Sequence, residues 1–147
     1  MPTIYVDMDG VVADFDTASE KILGHVYNSN GFSPEDWAIL SQHPRIYRDL
    51  PLCGGASLLI NTILSISVAR GYDVKFLTAI PRNNDMPWSF YDKVKWAEQY
   101  FPDIPVWFGP YSVDKCQHTQ PGDVLIDDRV SNINDWNTAG GIGILHT

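Results

Sequence analysis

Short runs of β-branched and aromatic residues alternate with helical patterns along most of this chain. Runs of this kind, bounded by Gly, Pro or Asp, are typical of buried strands. Strands that alternate with helices predict an α/β fold, with a Rossmann-like open, mostly parallel sheet and helices on both faces. The predicted strands are residues 3–6 (TIYV), 73–79 (DVKFLTA), 105–108 (PVWF), 123–127 (DVLID) and 143–146 (GILH).

Between these strands, apolar residues recur at helical spacing. The first helix is predicted over residues 14–23, and Gly24 and Gly71 would end the first and third helices. Ser33 and Ser131 are the predicted N-caps of the short second helix and of the last helix. The residues predicted to face the core are Phe15, Ala18 and Ile22 in the first helix, Leu59, Ile63 and Ile66 in the third, Phe90, Val94, Ala97 and Phe101 in the fourth, and Ile133, Trp136 and Ala139 in the last.

One segment interrupts the alternation. From residue 25 to residue 52, Asn, Ser, Gly and Pro surround the short second helix, and no strand pattern occurs. We therefore predict a small helical cap, residues 15–52, inserted after the first strand. The core would consist of residues 1–14 and 53–147, which is long enough for one domain.

Charge and composition exclude several classes of protein. The 18 acidic and 10 basic side chains give a net charge of -8, so we expect no duplex nucleic acid as a partner. No apolar run approaches the ~20 residues that span a bilayer, and no targeting signal is recognisable, so we expect no membrane partner and a cytoplasmic location. Cys53, Cys116 and the four His lack the spacing of a zinc site. The sequence leaves open whether the chain forms a homodimer.

Polar side chains gather just after the predicted strands. Ligands of open parallel sheets bind beyond the carboxyl ends of the strands, so these side chains should lie close together. Several carboxylates at one edge would repel one another unless a cation lies among them, and we predict Mg²⁺, a hard cation with oxygen ligands. The residues are Asp7 and Asp9 after the first strand, Thr78 near the end of the second, Lys115 in the loop before the fourth, and Asp127 with Asp128 at its end.

The order of these residues resembles a known signature. DxDGVxAD, a hydrophobic strand ending in Thr, a Lys, and a hydrophobic strand ending in Asp-Asp are similar to the four motifs of the haloacid dehalogenase (HAD) superfamily of phosphatases. The segments DMDGVVADF, LPLCGGA, GYDVKFLTA, DKVKW and LIDDR, with the later AGG, extend the resemblance to the 5′(3′)-deoxyribonucleotidase family over nearly the whole chain. The resemblance implies a HAD-like core with a helical cap, and removal of phosphate from deoxyribonucleoside monophosphates.

The resemblance also implies a role for each strand-end residue. Asp7 would be the nucleophile that forms an aspartyl-phosphate, and Asp9 would be the general acid and base. Mg²⁺ would bind a carboxylate oxygen of Asp7, the backbone carbonyl of Asp9 and a carboxylate of Asp128, with Asp127 as the second candidate. Lys115 would pair with the phosphate and with Asp7.

Further residues are expected to contact the substrate. The Thr78 hydroxyl and the N–H of Ala79 would donate to phosphate oxygens; the family usually has Ser where this chain has Ala79. Lys93 and Arg129 match basic positions near the phosphate in the family, although each could equally be a surface charge.

The nucleoside is expected to lie under the cap. Phe15 follows the acid/base residue by one turn, and Trp37 and Tyr47 lie in the insertion, so these rings could stack on the base. Phe15 could instead belong to the apolar stripe of the first helix, and Trp37 could simply pack the cap.

Two other functions stay open. The chain could be a HAD-type phosphatase of another small phosphomonoester or of a nucleic-acid 3′-phosphate end, although the acidic charge balance disfavours the latter. It could also be a catalytically silent binding protein on the same fold.

Overall fold

A computed structural model of the chain describes residues 1–26, 31–80 and 86–147. Residues 27–30 of the predicted cap therefore lie outside the described residues. None of the helices described is long and apolar enough to cross a membrane. In chain order the elements are β1 (Thr3–Val6), α1 (Phe15–Leu23), α2 (Pro34–Leu40), α3 (Ala56–Arg70), β2 (Asp73–Thr78), α4 (Ser89–Tyr100), β3 (Val106–Phe108), a 3₁₀ helix (Ser112–His118), β4 (Val124–Asp127), α5 (Val130–Thr138) and β5 (Ile142–Leu145).

The five strands form one sheet in the order β3-β2-β1-β4-β5. Every neighbouring pair is parallel, which confirms the predicted α/β class. The chain moves outward from β1 through β2 to β3, then returns across β1 to β4 and β5. The strand order therefore reverses between β1 and β4, which is where ligands bind in open parallel sheets.

Helices cover both faces of the sheet, as predicted. Strand side chains alternate between the faces, so Tyr5, Leu77 and Leu125 form one cluster with Ile133 and Trp136 of α5. The residues next to them in the strands belong to the larger core on the opposite face, where α3 and α4 pack. These strand residues are Ile4, Val6, Phe76 and Ile126, and they join Ile60 and Ile63 of α3 and Trp96 and Ala97 of α4.

Most predicted helix ends are confirmed. Ser33 caps α2 by accepting a hydrogen bond from the Asp36 N–H at 3.1 Å, and the Asp36 carboxylate accepts from the Ser33 N–H at 3.1 Å. Gly24 and Gly71 end α1 and α3 in the left-handed conformation that glycine adopts without steric cost. The prediction of Ser131 as the N-cap of α5 is wrong. The helix begins at Val130, directly after Arg129, and Ser131 lies inside it.

Four predicted strands differ from the observed ones by one residue at an end, and one of them is β4, which begins at Val124 instead of Asp123. β5 begins at Ile142, whose N–H donates to the Asp123 carbonyl at 2.9 Å, and it ends before His146. β3 begins after Pro105, which has no N–H to donate. β2 ends at Thr78, one residue before Ala79.

The predicted inner faces of α3, α4 and α5 are wrong in part. Ile66 and Phe90 are 42% and 40% exposed, and Ala139 is exposed as well. The buried side of α4 includes two charged residues, Asp92 and Lys93, so a search for apolar spacing misses it. These charges are compensated by residues far away in the sequence.

α4 also holds the end of the inserted segment against the core. The Arg48 guanidinium pairs with the Asp92 carboxylate at 2.7 Å, and the indole Nε1 of Trp96 donates to the Leu50 carbonyl at 2.8 Å. Trp96 is fully buried. The chain between residues 48 and 50 is thus tied to α4 by side chains one helical turn apart.

Replacing Trp96 with Phe should lower the free energy of unfolding by about 1–3 kcal/mol. The change leaves the buried Leu50 carbonyl without its donor and removes part of a packed ring. Chemical denaturation measures the loss, and Tyr100→Phe, in the same helix but partly exposed, is the control and should change it by less than about 0.5 kcal/mol. Equal losses of unfolding free energy in the two variants would contradict a stabilising contact between Trp96 and Leu50.

Candidate active site

Three carboxylates meet at the carboxyl edge of the sheet. Asp7 follows β1, and its N–H donates to the Ile126 carbonyl of β4 at 2.9 Å. Asp127 ends β4 and Asp128 follows it. Because β1 and β4 are parallel neighbours, one carboxylate oxygen from each of Asp7, Asp127 and Asp128 lies within 4.8 Å of the others.

A buried lysine lies among these carboxylates. The Lys115 Nζ donates to Asp7 Oδ1 at 2.8 Å and to Asp127 Oδ2 at 2.9 Å, and the residue is 2% exposed. Burial alone would lower the pKa of Lys115, but the charges of Asp7 and Asp127 raise it overall. The lysine lies on the 3₁₀ helix, not in the loop that the sequence predicted.

Asp127 is held by three donors. Besides Lys115, the Asn132 amide donates to it at 3.0 Å and the Arg129 N–H donates at 2.9 Å. Asp127 is fully buried, so its oxygens are directed at protein donors. This arrangement suits a residue that orients Lys115, and it leaves Asp7 and Asp128 better placed to bind a cation.

Asp128 lies directly against Gly10. A Cβ at Gly10 would overlap the Asp128 carboxylate, and Gly10 has a φ of 82°, so two constraints require glycine here. The loop after β1 can therefore approach the carboxylate that follows β4.

The edge carries more negative than positive charge. Burial, and then the charge of Asp127, raise the pKa of Asp128 to about 6. Burial also raises the pKa of Asp7 well above its usual value; Lys115 opposes this shift, and Asp127 and Asp128 add to it. Carboxylates that resist ionising together are a suitable donor set for a hard divalent cation, whose charge would remove the repulsion.

Asp9 pairs with a second buried lysine, Lys93. The Lys93 Nζ donates to Asp9 Oδ2 at 2.7 Å and to the Thr78 hydroxyl at 2.8 Å, and it lies 4.9 Å from the centre of the Tyr47 ring. Lys93 is 1% exposed, so it is not a surface charge. The lysine joins the loop after β1 to the end of β2.

A cavity of about 550 Å³ opens above these groups. Thr78, Lys93 and Asp127 do not line the cavity. Lys93 contacts Asp9 and Asp127 contacts Lys115, and both of these partners line it. Thr78 in turn contacts Lys93. The predicted site residues that do line it are Asp7, Asp9, Phe15, Trp37, Ala79, Lys115, Asp128 and Arg129.

Four aromatic side chains, Phe15, Phe32, Trp37 and Tyr47, form one side of the cavity, which we call the aromatic wall. The Phe15 ring is stacked on Tyr47 with centroids 5.5 Å apart and on Trp37 at 6.3 Å. Phe15 is only 9% exposed, whereas Trp37 is half-buried. Phe15 therefore belongs both to the hydrophobic core and to the cavity lining. Trp37 exposes more ring surface that a ligand could contact.

Sequence reasoning missed several cavity residues. Asn132 lies one helical turn after Asp128, and this spacing could have placed it at the same edge. Ser112 accepts a hydrogen bond from the Arg129 guanidinium at 3.2 Å, which brings the 3₁₀ helix and α5 together at the cavity. Asp16, next to Phe15, also lines it.

Comparisons of the chain with protein-family models and with curated proteins gave no match. What the site can do is therefore inferred from its own residues and geometry.

Without a divalent cation, the free energy of unfolding should fall as pH rises from about 4 through about 6. In the folded state Asp7 and Asp128 have raised pKa values, about 6 for Asp128, so the folded protein keeps protons that the unfolded chain releases near its ordinary carboxyl pKa of ~4. This contribution to stability is present below the unfolded pKa and is lost as pH rises through the folded one. Added divalent cation should reduce the loss.

The control for this prediction is a pair of variants. Asp128→Asn should flatten the dependence on pH, whereas Asp135→Asn, an exposed change in α5, should leave it as it is. Chemical denaturation at a series of pH values in chelator provides the curves. If Asp128→Asn does not alter the dependence of the free energy of unfolding on pH, Asp128 is not a source of that dependence.

Proposed function

We propose that this chain is a magnesium-dependent, HAD-type phosphatase that dephosphorylates deoxyribonucleoside 5′(3′)-monophosphates through an aspartyl-phosphate. The observation that carries the proposal is the Asp7 carboxylate at the base of the cavity, 2.8 Å from the buried Lys115 ammonium and beside Asp127 and Asp128. A carboxylate can attack a phosphate dianion only where positive charge offsets the repulsion, and this position has a fixed cation and ligands for another.

The cap belongs to the same proposal. Residues 15–52 would form a small helical cap over a HAD-like core of residues 1–14 and 53–147. Support comes from the aromatic wall, all of whose members lie in this segment and line the cavity. The ties from Arg48 and Leu50 to α4 would keep the cap close to the core.

Magnesium fits the donor set, because the carboxylates of Asp7 and Asp128 converge and Asp127 is already satisfied by protein donors. Asp7 and Asp128 would hold it, with the Asp9 carbonyl as the third ligand that the family resemblance implies. When bound, Mg²⁺ neutralises negative charge on the carboxylates and on the phosphate oxygens.

The protein's own residues perform the bond changes. An Asp7 carboxylate oxygen forms a bond to phosphorus while the bond from phosphorus to the nucleoside oxygen breaks, and Asp9 donates a proton to that oxygen. Asp9 then takes a proton from a water molecule, whose oxygen attacks the phosphorus. Inorganic phosphate leaves and the Asp7 carboxylate is restored. Lys115 stays beside Asp7 and stabilises the negative charge that develops on the phosphate.

Lys93 keeps the Asp9 carboxylate in place, and Thr78 holds Lys93 from behind. Arg129, which lines the cavity, would add positive charge for the phosphate.

The aromatic wall supports a nucleoside as the leaving group. A cavity of about 550 Å³ that combines aromatic rings with a few converging polar groups is typical of a small-molecule site. Bases stack on aromatic rings with little dependence on their identity. A sugar phosphate would use only the polar part of the cavity, so nucleotides should be the better substrates.

Phosphate release should require Mg²⁺, stop in excess chelator and resume when Mg²⁺ is restored. Ca²⁺ should bind but support little turnover, because it prefers more ligands at longer distances and would misplace the nucleophile. The measurement is a panel of deoxyribonucleotides, ribonucleotides and sugar phosphates with each cation. Full activity in chelator would contradict the metal requirement. Activity on sugar phosphates alone would show that the substrate is a sugar phosphate and not a nucleotide.

The control for this panel removes the nucleophile. Asp7→Asn should lower kcat by at least ~10³, because it takes away the attacking oxygen and a metal ligand together. The matched variant is Asp73→Asn, an exposed residue at the start of β2 and thus at the far end of the sheet, and it should retain activity. If Asp7→Asn stays within tenfold of the wild type, Asp7 is not the nucleophile.

Trp37→Ala should lower kcat/KM for a deoxynucleotide by about 5- to 150-fold, the kinetic equivalent of losing ~1–3 kcal/mol of base stacking. Deoxyribose 5-phosphate, which lacks a base, should be affected much less. Trp107→Ala is the matched control, since Trp107 is 41% exposed and lies outside the cavity. With thermal melting to check folding, equal losses on the two substrates would show that Trp37 only packs the segment.

A further inference from the structure

Tyr47 lines the cavity, but its ring is almost closed off from it. The residue is 2% exposed, whereas Trp37, another member of the aromatic wall, is half-buried. Phe15 stacks on the Tyr47 ring with centroids 5.5 Å apart and ring planes 9° from parallel. Tyr47 therefore has little surface to offer a nucleobase, and another contact accounts for an aromatic ring at this position.

That contact is the ammonium of Lys93. The Lys93 Nζ lies over the Tyr47 ring, 4.9 Å from its centre, which is within the ~6 Å range of a cation–π interaction. The same Nζ donates to Asp9 Oδ2 at 2.7 Å and to the Thr78 hydroxyl at 2.8 Å. Lys93 is 1% exposed, so water has little access to it. Among the described residues, a carboxylate, a hydroxyl and a ring face thus lie against an ammonium that has three N–H donors.

The partners of Lys93 belong to separate parts of the chain. Asp9 lies in the loop after β1 and Thr78 ends β2, whereas Tyr47 lies in the inserted segment. With an aliphatic side chain in place of the ring, the ammonium would face an apolar surface that cannot compensate its charge. Lys93 would then shift, and the Asp9 carboxyl would lose the contact that fixes it.

We propose that Tyr47 is a positioning residue, which acts through Lys93 to keep the Asp9 carboxyl directed at the leaving oxygen of the substrate. Lys93 occupies Oδ2 of Asp9, which leaves Oδ1 to carry the proton. This proposal rests on the proposed phosphatase function and deepens it, because it assigns a residue of the inserted segment to the support of the proton transfer.

The proton transfer determines which substrates depend on this position. As the Asp7 oxygen bonds to phosphorus, the bond from phosphorus to the leaving oxygen breaks, and its electron pair stays on that oxygen. An alkyl oxygen, as in a nucleoside or a sugar, leaves readily only when Asp9 supplies a proton to it. The p-nitrophenolate ion is stable without a proton. A misplaced Asp9 therefore slows the hydrolysis of alkyl phosphates more than that of p-nitrophenyl phosphate.

The test measures kcat for a deoxynucleoside monophosphate, deoxyribose 5-phosphate and p-nitrophenyl phosphate at fixed free Mg²⁺. In Tyr47→Leu, the ratio of kcat for each alkyl ester to kcat for p-nitrophenyl phosphate should fall by about 5- to 30-fold, the equivalent of a buried cation–π contact. Tyr47→Phe keeps the ring face and should recover most of this loss. Tyr47→Met serves if Tyr47→Leu does not fold.

The three substrates separate positioning from two other roles of the ring. A loss confined to the deoxynucleotide means that Tyr47 contacts the base, and equal losses on all three substrates mean that it only packs the segment. Either result overturns the proposal.

The matched control is Tyr5→Leu. Tyr5 is also a buried tyrosine, 4% exposed, but it packs against Trp136 in the cluster on the other face of the sheet. The change should lower the free energy of unfolding and leave the substrate ratios unchanged. Ratios that fall equally in Tyr5→Leu and Tyr47→Leu also overturn the proposal.

A stability measurement tests the contact without relying on turnover. In a double-mutant cycle, Tyr47→Leu should shift the midpoint of chemical denaturation less when Lys93→Met is present than in the wild type, because the contact is then already lost. Equal shifts overturn the role of Tyr47 and leave the phosphatase proposal intact. Wild-type protein that hydrolyses none of the three esters overturns the phosphatase function and, with it, the role of Asp9, even where the cycle shows that Tyr47 and Lys93 are coupled.

Discussion

The buried Lys115 ammonium is the contact on which the arrangement of the site depends. A lysine that is 2% exposed is stable only with close partners, and Lys115 has Asp7 and Asp127 at 2.8 and 2.9 Å. These partners follow β1 and end β4, so the pairings also fix the 3₁₀ helix against the centre of the sheet. Removing any one of the three charges would leave the others buried and incompletely paired.

A second layer of residues supports the groups that reach the cavity. Lys93 is held by Thr78 and in turn holds Asp9, while Asn132 holds Asp127 beside Lys115. Each supporting residue comes from a different element: α4, the end of β2 and α5. The polar groups of the cavity are therefore fixed by packing of the sheet and helices, and a ligand would meet a largely pre-formed site.

Local patterns were enough to predict the sheet and its acidic edge, because a strand's apolar run and the polar residue that ends it are adjacent in sequence. The fold class predicts parallel strands, and Asp7 and Asp127 meet because the structure places β1 and β4 side by side. The inner face of α4 could not be predicted this way. Asp92 and Lys93 are buried because Arg48 and Asp9, distant in sequence, compensate their charges, and no periodicity of apolar residues records such a pairing.

Charge balance constrains the order in which the proposed site can work. Asp7 and Asp127 share one buried ammonium, and a carboxylate oxygen of Asp128 lies within 4.8 Å of theirs. The pKa values of Asp7 and Asp128 are raised, so this edge disfavours further negative charge. A phosphate dianion entering on its own would add to the repulsion. A divalent cation reverses the balance, which means that the metal must bind before the phosphate or together with it. The proposed requirement for Mg²⁺ thus concerns substrate binding first, and the bond-breaking step only afterwards.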